Sequence, residues 1–364
     1  MTSIAARAVI TPAGTVSPGV IDLDGERIGT VSPTSGPVPD RLIAAGFVDL
    51  QVNGHDDIDV ATAEGADWDR IDGLLLAQGV TTWCPTVVTG PLAGYPAVLD
   101  RVEAAGRRPG PRPSIAGAHL EGPFLGGLRG AHDPRFVQEI DLNWLSSLPG
   151  VVSVVTLGAE LQGAGEAIAT LAGKGVLAAI GHSMATYEQA LAAADRGARL
   201  VTHLFNAMSP LHHRQPGMVG AALSDARLVP SLIADLIHVH PAVIATAFRA
   251  RADSGVALVT DAVGWRSGRI GGAGVARADG DAPRRPDGTI AGSALTMDAA
   301  VRNVVDSAGV PLEAALRAAS ATPAGLLGLE DRGAVEAGRR ADLVALSGDL
   351  TPVATWVGGE QVWG

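Results

Sequence analysis

Short apolar runs recur along this chain, and several end in a charged or imidazole residue followed by a turn former. The run from Ile115 stops at Glu121, before Gly122-Pro123. Val176 to Gly181 stops at His182, Leu200 to Thr202 at His203, and Ala257 to Thr260 at Asp261. Leu232 to Ala234 reaches Asp235 and continues to His238. Between these runs lie Ala/Leu-rich helical stretches, among them Asp67 to Gln78, Pro96 to Ala105, Gly163 to Gly173 and Thr186 to Arg196. From Gly46 to about residue 330 the two alternate at roughly 25 to 40 residues, the cadence of repeated β-α units on a parallel sheet. Polar residues collected at strand C-termini point to a closed (β/α)8 barrel over residues 46–330, because its strand ends aim side chains into the mouth. The alternative is an open, doubly wound sheet. That fold wants a Gly-rich phosphate loop after an early strand, and here the early strand runs into Asn53-Gly54-His55-Asp56.

Both ends of the chain change character. Ala5 to Ile10 and Gly19 to Leu23 read as strands, separated by the turn formers Thr11 to Gly14, with Asp24 to Glu26 beyond. A Pro/Gly/Ser connection, Ser32 to Pro37, follows. After residue 331 the pattern returns to short alternating runs, with Val353 to Val357 and Gln361 to Trp363 flanking Gly358-Gly359. Residues 1–45 and 331–364 are expected to pair into one small β-sandwich domain beside the barrel.

An apolar fraction of 47% allows a large core. The net charge of −11 argues against a nucleic-acid or anionic-membrane surface, so an anionic ligand would need a local basic pocket. A single cysteine, Cys84, leaves no internal disulfide and no cysteine cluster for a metal; it reads as an inert packed thiol. The first residues lack a signal-peptide pattern, and no run of about 18 apolar residues marks a membrane span. A soluble, cytoplasmic protein is the expectation.

Glu121, His182 and His203 form an O,N,N set suited to one divalent metal with room for water. Asp261 is then a free carboxylate for proton transfer. The first barrel strand reads Phe47-Val-Asp-Leu-Gln51-Val-Asn53, so Gln51 and Asn53 take the alternating inward positions. Neutral amides are poor metal ligands beside imidazole. Leu211-His212-His213-Arg214 is a local basic cluster in an acidic chain; taken alone it is either an anion contact or a solvated loop.

The stretches Ala118-His-Leu-Glu-Gly-Pro-Phe124, Gly181-His-Ser-Met-Ala-Thr-Tyr187 and Thr202-His-Leu-Phe-Asn-Ala-Met-Ser-Pro210 resemble three signatures of the N-acetylglucosamine-6-phosphate deacetylases, a family of the amidohydrolase superfamily. Leu258-Val-Thr-Asp-Ala262 and Ala291-Gly-Ser-Ala-Leu-Thr-Met297 resemble two more, in the same order along the chain. The resemblance implies a metal-dependent barrel that hydrolyses the acetamide of a phosphorylated amino sugar. It makes Glu121, His182 and His203 the ligands of one divalent metal per subunit, taken as Zn2+, and Asp261 the catalytic acid and base. His238 is similar to the histidine that polarises the substrate carbonyl, within a contact segment Asp235-Leu236-Ile237-His238. Ala131 and His132 sit where the family contacts sugar, Asn206 and Ala207 where it holds phosphate, and Ile290, Ala291 and Gly292 on a further substrate loop. Arg214 resembles an arginine that reaches the phosphate in a neighbouring subunit's site, which implies a homodimer. The family has a one-metal branch with the same Gln-x-Asn on the first strand.

The chain departs from the family pattern around the pocket. Leu236 stands where the family has glycine, Met184 replaces a polar residue, Gln215 replaces glutamate, and His55-Asp56-Asp57 follows the first strand. Two other readings therefore stay open: a deacetylase for a related sugar such as N-acetylgalactosamine 6-phosphate, and a non-catalytic sugar-phosphate sensor on the same barrel.

Overall fold

The computed structural model describes residues 2–252, 255–270, 273–277 and 280–364. Among them, eight parallel strands stand side by side in chain order: Phe47–Val52, Val80–Val88, Ala118–Glu121, Val152–Leu157, Leu177–Ile180, Leu200–Val201, Val229–Ile233 and Ala257–Val259. Hydrogen bonds between the eighth and first strands close the ring. Asp261 N donates to Gln51 O at 2.9 Å and Asn53 N to Ala262 O at 2.8 Å. A side-chain stitch crosses the same seam, with Thr260 Oγ1 donating to the buried Asp49 carboxylate at 2.6 Å. Burial pushes the Asp49 carboxyl up to about 7. The first strand is buried at every residue, as a strand covered on both faces must be, which is why these runs read as apolar.

Helices follow the strands. Asp67–Leu76, Tyr95–Gly106, Ala164–Gly173 and Tyr187–Asp195 match the predicted stretches to within a turn. The last of these starts at a capping box. Thr186 Oγ1 accepts from Gln189 N at 3.2 Å, and Gln189 Oε1 accepts from Thr186 N at 2.9 Å, so two otherwise unpaired amides are satisfied. After the eighth strand comes Met297–Asp306, and then Leu312–Ala319 and Ala321–Leu326, which pack over the seam between strands eight and one.

The termini meet in two sheets. One has the strands Thr2–Ala6, Gly19–Asp24 and Arg27–Pro33. The other orders Glu360–Trp363, Pro352–Val357, Leu343–Leu346, Leu42–Ala45, Ala8–Thr11 and Gly14–Val16. Leu343–Leu346 runs antiparallel to Leu42–Ala45, so the tail does pair with the N-terminal part. Ile21, Ile43, Leu343 and Trp356 share a core between the sheets that is separate from the barrel core.

Two details differ from the sequence reading. The run Ala5 to Ile10 is not one strand: it breaks at Arg7 and its halves enter different sheets. The apolar stretch 42–52, which as a sequence opens the main domain in one run, likewise breaks at Gly46, where a Cβ would meet the Thr81 side chain at 2.3 Å. The chain passes from the small layer into the barrel through that glycine. Cys84 is fully buried and burial pushes its thiol up to about 12, consistent with an inert packed group. Among the described residues no helix is long and apolar enough to cross a membrane.

Candidate active site

Glu121 ends the third strand, His182 and His203 follow the fifth and sixth, and Asp261 follows the eighth. His182, His203 and Asp261 have φ of 49°, 36° and 48°. This left-handed turn at a strand end is unfavourable for a residue with a Cβ, on the order of 1–3 kcal/mol, and persists only where the surroundings over-determine it. All four side chains are buried.

Their reactive atoms converge. His203 Nε2 lies 3.0 Å from Glu121 Oε1 and 3.0 Å from His182 Nε2, and His182 Nε2 lies 3.2 Å from Glu121 Oε1. His182 Nδ1 faces the Leu128 carbonyl at 3.1 Å. A carbonyl only accepts, so Nδ1 carries the proton and Nε2 presents its lone pair to a carboxylate oxygen. Two acceptors face each other at that distance favourably only around a shared cation. The donor set therefore fits a divalent metal, and its two imidazoles and one carboxylate match a hydrolytic zinc site with an open position. His132 borders the same space, with Nε2 at 3.5 Å from Glu121 Oε2. Glu121, His132 and His182 alone also bring their donor atoms within 4.8 Å of one another. The set with His203 is the tighter of the two.

The electrostatics follow from burial and contact. Burial opposes ionisation of Glu121, but the imidazoles of His132, His182 and His203 around it outweigh that and hold the carboxyl well below its ordinary range. Burial, then His132, pulls His182 down to about 4, keeping it neutral. Burial and the Glu121 charge push Asp261 up to about 7, the range where a carboxyl can both take and return a proton.

Gln51 and Asn53 do face inward, and they act on the carboxylates. Gln51 Nε2 donates to Glu121 Oε1 at 2.9 Å and to Asp261 Oδ1 at 3.1 Å; Asn53 Nδ2 donates to Asp261 Oδ1 at 2.7 Å. Asp261 is thereby fixed through one oxygen. His119 lies below, between the Leu50 carbonyl at 2.9 Å and Thr156 Oγ1 at 2.8 Å, as part of the barrel floor.

His238 and Asp235 form a hydrogen-bonded pair. His238 Nδ1 donates to Asp235 Oδ2 at 2.7 Å, while Asp235 Oδ1 accepts from Ile237 N at 2.9 Å and His238 N at 2.8 Å. Leu236 makes the tight turn between them at φ 65°. With Nδ1 committed, the other ring nitrogen donates only when the ring holds both protons, and the Asp235 carboxylate is the counter-charge for that form. If the far nitrogen of His238 serves as an oxyanion donor, Asp235→Asn should lower kcat by roughly 10²-fold with a smaller change in KM. Steady-state kinetics showing an unchanged kcat would remove this role.

The remaining expected contacts divide. Ala131 and His132 are half-buried beside the cluster. The Ala131 carbonyl accepts from Arg285 Nη1 at 2.7 Å, which ties that loop to the segment bearing Ile290, Ala291 and Gly292. A cavity of about 50 Å³ lies between the two loops, walled by Thr89, His132, Ile270, Val275 and Ala291. Gly292 has φ 64°, and a Cβ there would meet Val263 at 2.3 Å and the Asp261 carbonyl at 2.9 Å, so only glycine lets this loop rest on Asp261. Asn206 and Ala207 are half-buried on the turn after His203, where the Ala207 carbonyl accepts from Ser183 N at 3.1 Å. Arg214 is not brought into the site of its own chain. It lies on an exposed turn closed between His212 and Gln215, and among the described residues no hydrogen bond or ion pair engages its guanidinium.

Two polar groups at the mouth escaped the sequence reading, Arg285 and Glu160. Glu160 had a signal: it comes just after the apolar fourth strand, Val152–Leu157, in the same pattern that marked the other strand ends.

A closed barrel whose strand ends gather two imidazoles, a carboxylate and a second, proton-ready carboxylate defines a metal-assisted barrel hydrolase. The chain belongs to the amidohydrolase family, whose model matches residues 42–362. It is 39% identical over 348 residues to the N-acetylglucosamine-6-phosphate deacetylase of Danio rerio, covering 89% of this chain and 85% of that one. It is 36% identical over 368 residues to the N-acetylgalactosamine-6-phosphate deacetylase of Escherichia coli O157:H7, covering 98% and 97%. The solved structure of a mutant N-acetyl-D-glucosamine-6-phosphate deacetylase from Mycobacterium smegmatis, in complex with N-acetyl-D-glucosamine-6-phosphate, superposes with a TM-score of 0.91 at 33% identity, covering 100% of this chain and 99% of that one.

Proposed function

We propose that this protein hydrolyses the acetamide of N-acetyl-D-glucosamine 6-phosphate, giving acetate and D-glucosamine 6-phosphate. The observation that carries the reading is the convergence of Glu121, His182 and His203 beside an Asp261 held by two amide donors. A divalent cation on those three residues, one per subunit and taken as zinc, would supply Lewis acidity that makes water a nucleophile near neutral pH. Asp261 takes the water's proton and returns it to the leaving nitrogen. Gln51 and Asn53 hold its Oδ1, so the proton transfers fall to Oδ2. His238, backed by Asp235, donates to the developing oxyanion. The same two amides occupy the positions where a second metal would need ligands, which supports a single ion. A free acid/base carboxylate has no use in a silent sensor, so catalysis is favoured. Phosphorylated amino sugars are charged intracellular intermediates, and the reading places the enzyme in the cytoplasm, with a catalytic barrel at 46–330 and a small β-domain from 1–45 and 331–364.

The galactosamine epimer is the second reading. It is supported by the E. coli relative, which matches over nearly the whole chain. Acetate release from the two 6-phosphates and from unphosphorylated N-acetylglucosamine decides between them. The first reading requires a kcat/KM highest for the gluco epimer and much lower without phosphate.

Arg214 supports a homodimer. Its guanidinium is exposed, and Leu211 and Met184 are 57% and 50% exposed on neighbouring rim loops, as at a face that meets another copy. Arg214→Ala is expected to raise KM for the phosphorylated sugar far more than for the unphosphorylated one, and lysine should substitute poorly for the planar fork. In a mixed dimer with Asp261→Asn, one site keeps both residues and the other lacks both, so activity should return at low substrate. Subunit exchange without recovery, or a functional monomer, would end the cross-subunit role.

A further inference from the structure

We propose that Glu160 is a positioning residue for His182, acting through the backbone on both sides of that ligand. The inference rests on the reading of Glu121, His182 and His203 as the metal set. Glu160 is half-buried on the loop after the fourth strand. Its Oε1 accepts from Met184 N at 2.7 Å and from Gly127 N at 2.9 Å. Its Oε2 accepts from the Ser183 hydroxyl in a short hydrogen bond. Ser183 and Met184 directly follow His182. Gly127 directly precedes Leu128, whose carbonyl accepts a hydrogen bond from His182 Nδ1. One carboxylate therefore fastens the segment that carries the imidazole to the segment that orients it.

Two further observations tighten the argument. Gly126 N donates to the His182 carbonyl at 2.8 Å, so the 126–128 segment grips His182 at main chain and ring together. The surroundings are cut to admit this carboxylate: a Cβ on Gly126 would meet Glu160 Oε1 at 2.0 Å, and one on Gly158 would meet Gly126 N at 2.6 Å. His182 sits in the left-handed region, which its Cβ disfavours, and needs such external restraint. Groups that orient a ligand's second nitrogen typically change metal affinity 10–100-fold. Glu160 acts one bond further out, but on two segments at once.

The test is the zinc dissociation constant, measured by chelator competition on the purified full chain, for wild type, Glu160→Ala, Glu160→Asp, Glu160→Gln and His182→Ala. Glu160→Ala should weaken zinc by roughly 10–100-fold. Glu160→Asp should weaken it too, because the shorter side chain cannot span Gly127 and Met184; this variant carries the test if the alanine protein fails to fold. Glu160→Gln should recover most of the affinity, since its carbonyl oxygen still accepts from both amides. A change of visible spectrum in the cobalt-loaded Glu160→Asp protein should report the altered ligand geometry. Wild-type affinity in both Glu160→Ala and Glu160→Asp, with zinc lost from His182→Ala, would overturn the inference alone. Wild-type affinity in His182→Ala would overturn the ligand set and this inference with it.

Discussion

Asp261→Asn should leave a folded, metal-binding protein that does not turn over. Asparagine keeps the side-chain shape, and its carbonyl oxygen can still accept from Gln51 Nε2 and Asn53 Nδ2, now 3.1 Å and 2.7 Å from Asp261 Oδ1. What it cannot do is accept the water's proton at neutral pH or return one to a leaving amine. General acid-base catalysis is worth about 10²–10⁴-fold, and the proposed mechanism gives both transfers to one group, so the loss should lie toward the upper end. Circular dichroism and zinc content should match the parent. A variant retaining more than about a tenth of the parental kcat would show that the proton moves elsewhere, whatever the position of Asp261.

Removing a ligand should have the other large effect. His182→Ala or His203→Ala leaves two donors where the site has three, and opens a gap in a buried cluster whose atoms now stand 3.0–3.2 Å apart. Zinc affinity should fall by more than the roughly 10–100-fold typical of groups that merely support ligands. Activity should vanish with the metal. Metal analysis of the parent should give one ion per chain and of either variant close to none. Two fully occupied sites in the parent would contradict the single-ion reading, since Gln51 and Asn53 would then have to tolerate an ion beside them.

How far the sequence could lead depended on the range of each interaction. Glu121, His182, His203 and Asp261 were legible because each closes an apolar run, and a parallel strand buried on both faces writes itself as such a run. The alternation of Phe47 to Asn53 placed Gln51 and Asn53 inward, but which carboxylates they would reach is a matter of the ring's closure, not of period two. Asp235 read as a contact for substrate; the folded turn adds that its oxygens bond the His238 ring and the amides of Ile237 and His238. Arg285 and Ala131 lie 154 positions apart, and no local pattern links an arginine on one loop to a carbonyl on another. The left-handed backbone at His182 and Asp261 was likewise invisible, because their intrinsic preferences point the other way and the surrounding packing decides. Arg7 broke an expected strand because the two halves have different sheet partners, a choice made by distant residues.

The pairing of Leu42–Ala45 with Leu343–Leu346 has a consequence for synthesis. The earlier strand leaves the ribosome long before its partner. At about 5–20 residues per second, the wait for the later strand is on the order of 15–60 s. Through that interval one edge of Leu42–Ala45 has no partner, and it sits a single residue upstream of Phe47–Val52, which is itself waiting for the eighth strand. Two adjacent apolar segments thus stay open, the second until residue 259 is made and the first until the chain is nearly finished. Nascent-chain aggregation, rather than the stability of the finished fold, is the hazard this topology carries, and holding factors that cover short apolar stretches during translation should raise its yield more than any stabilising substitution in the barrel.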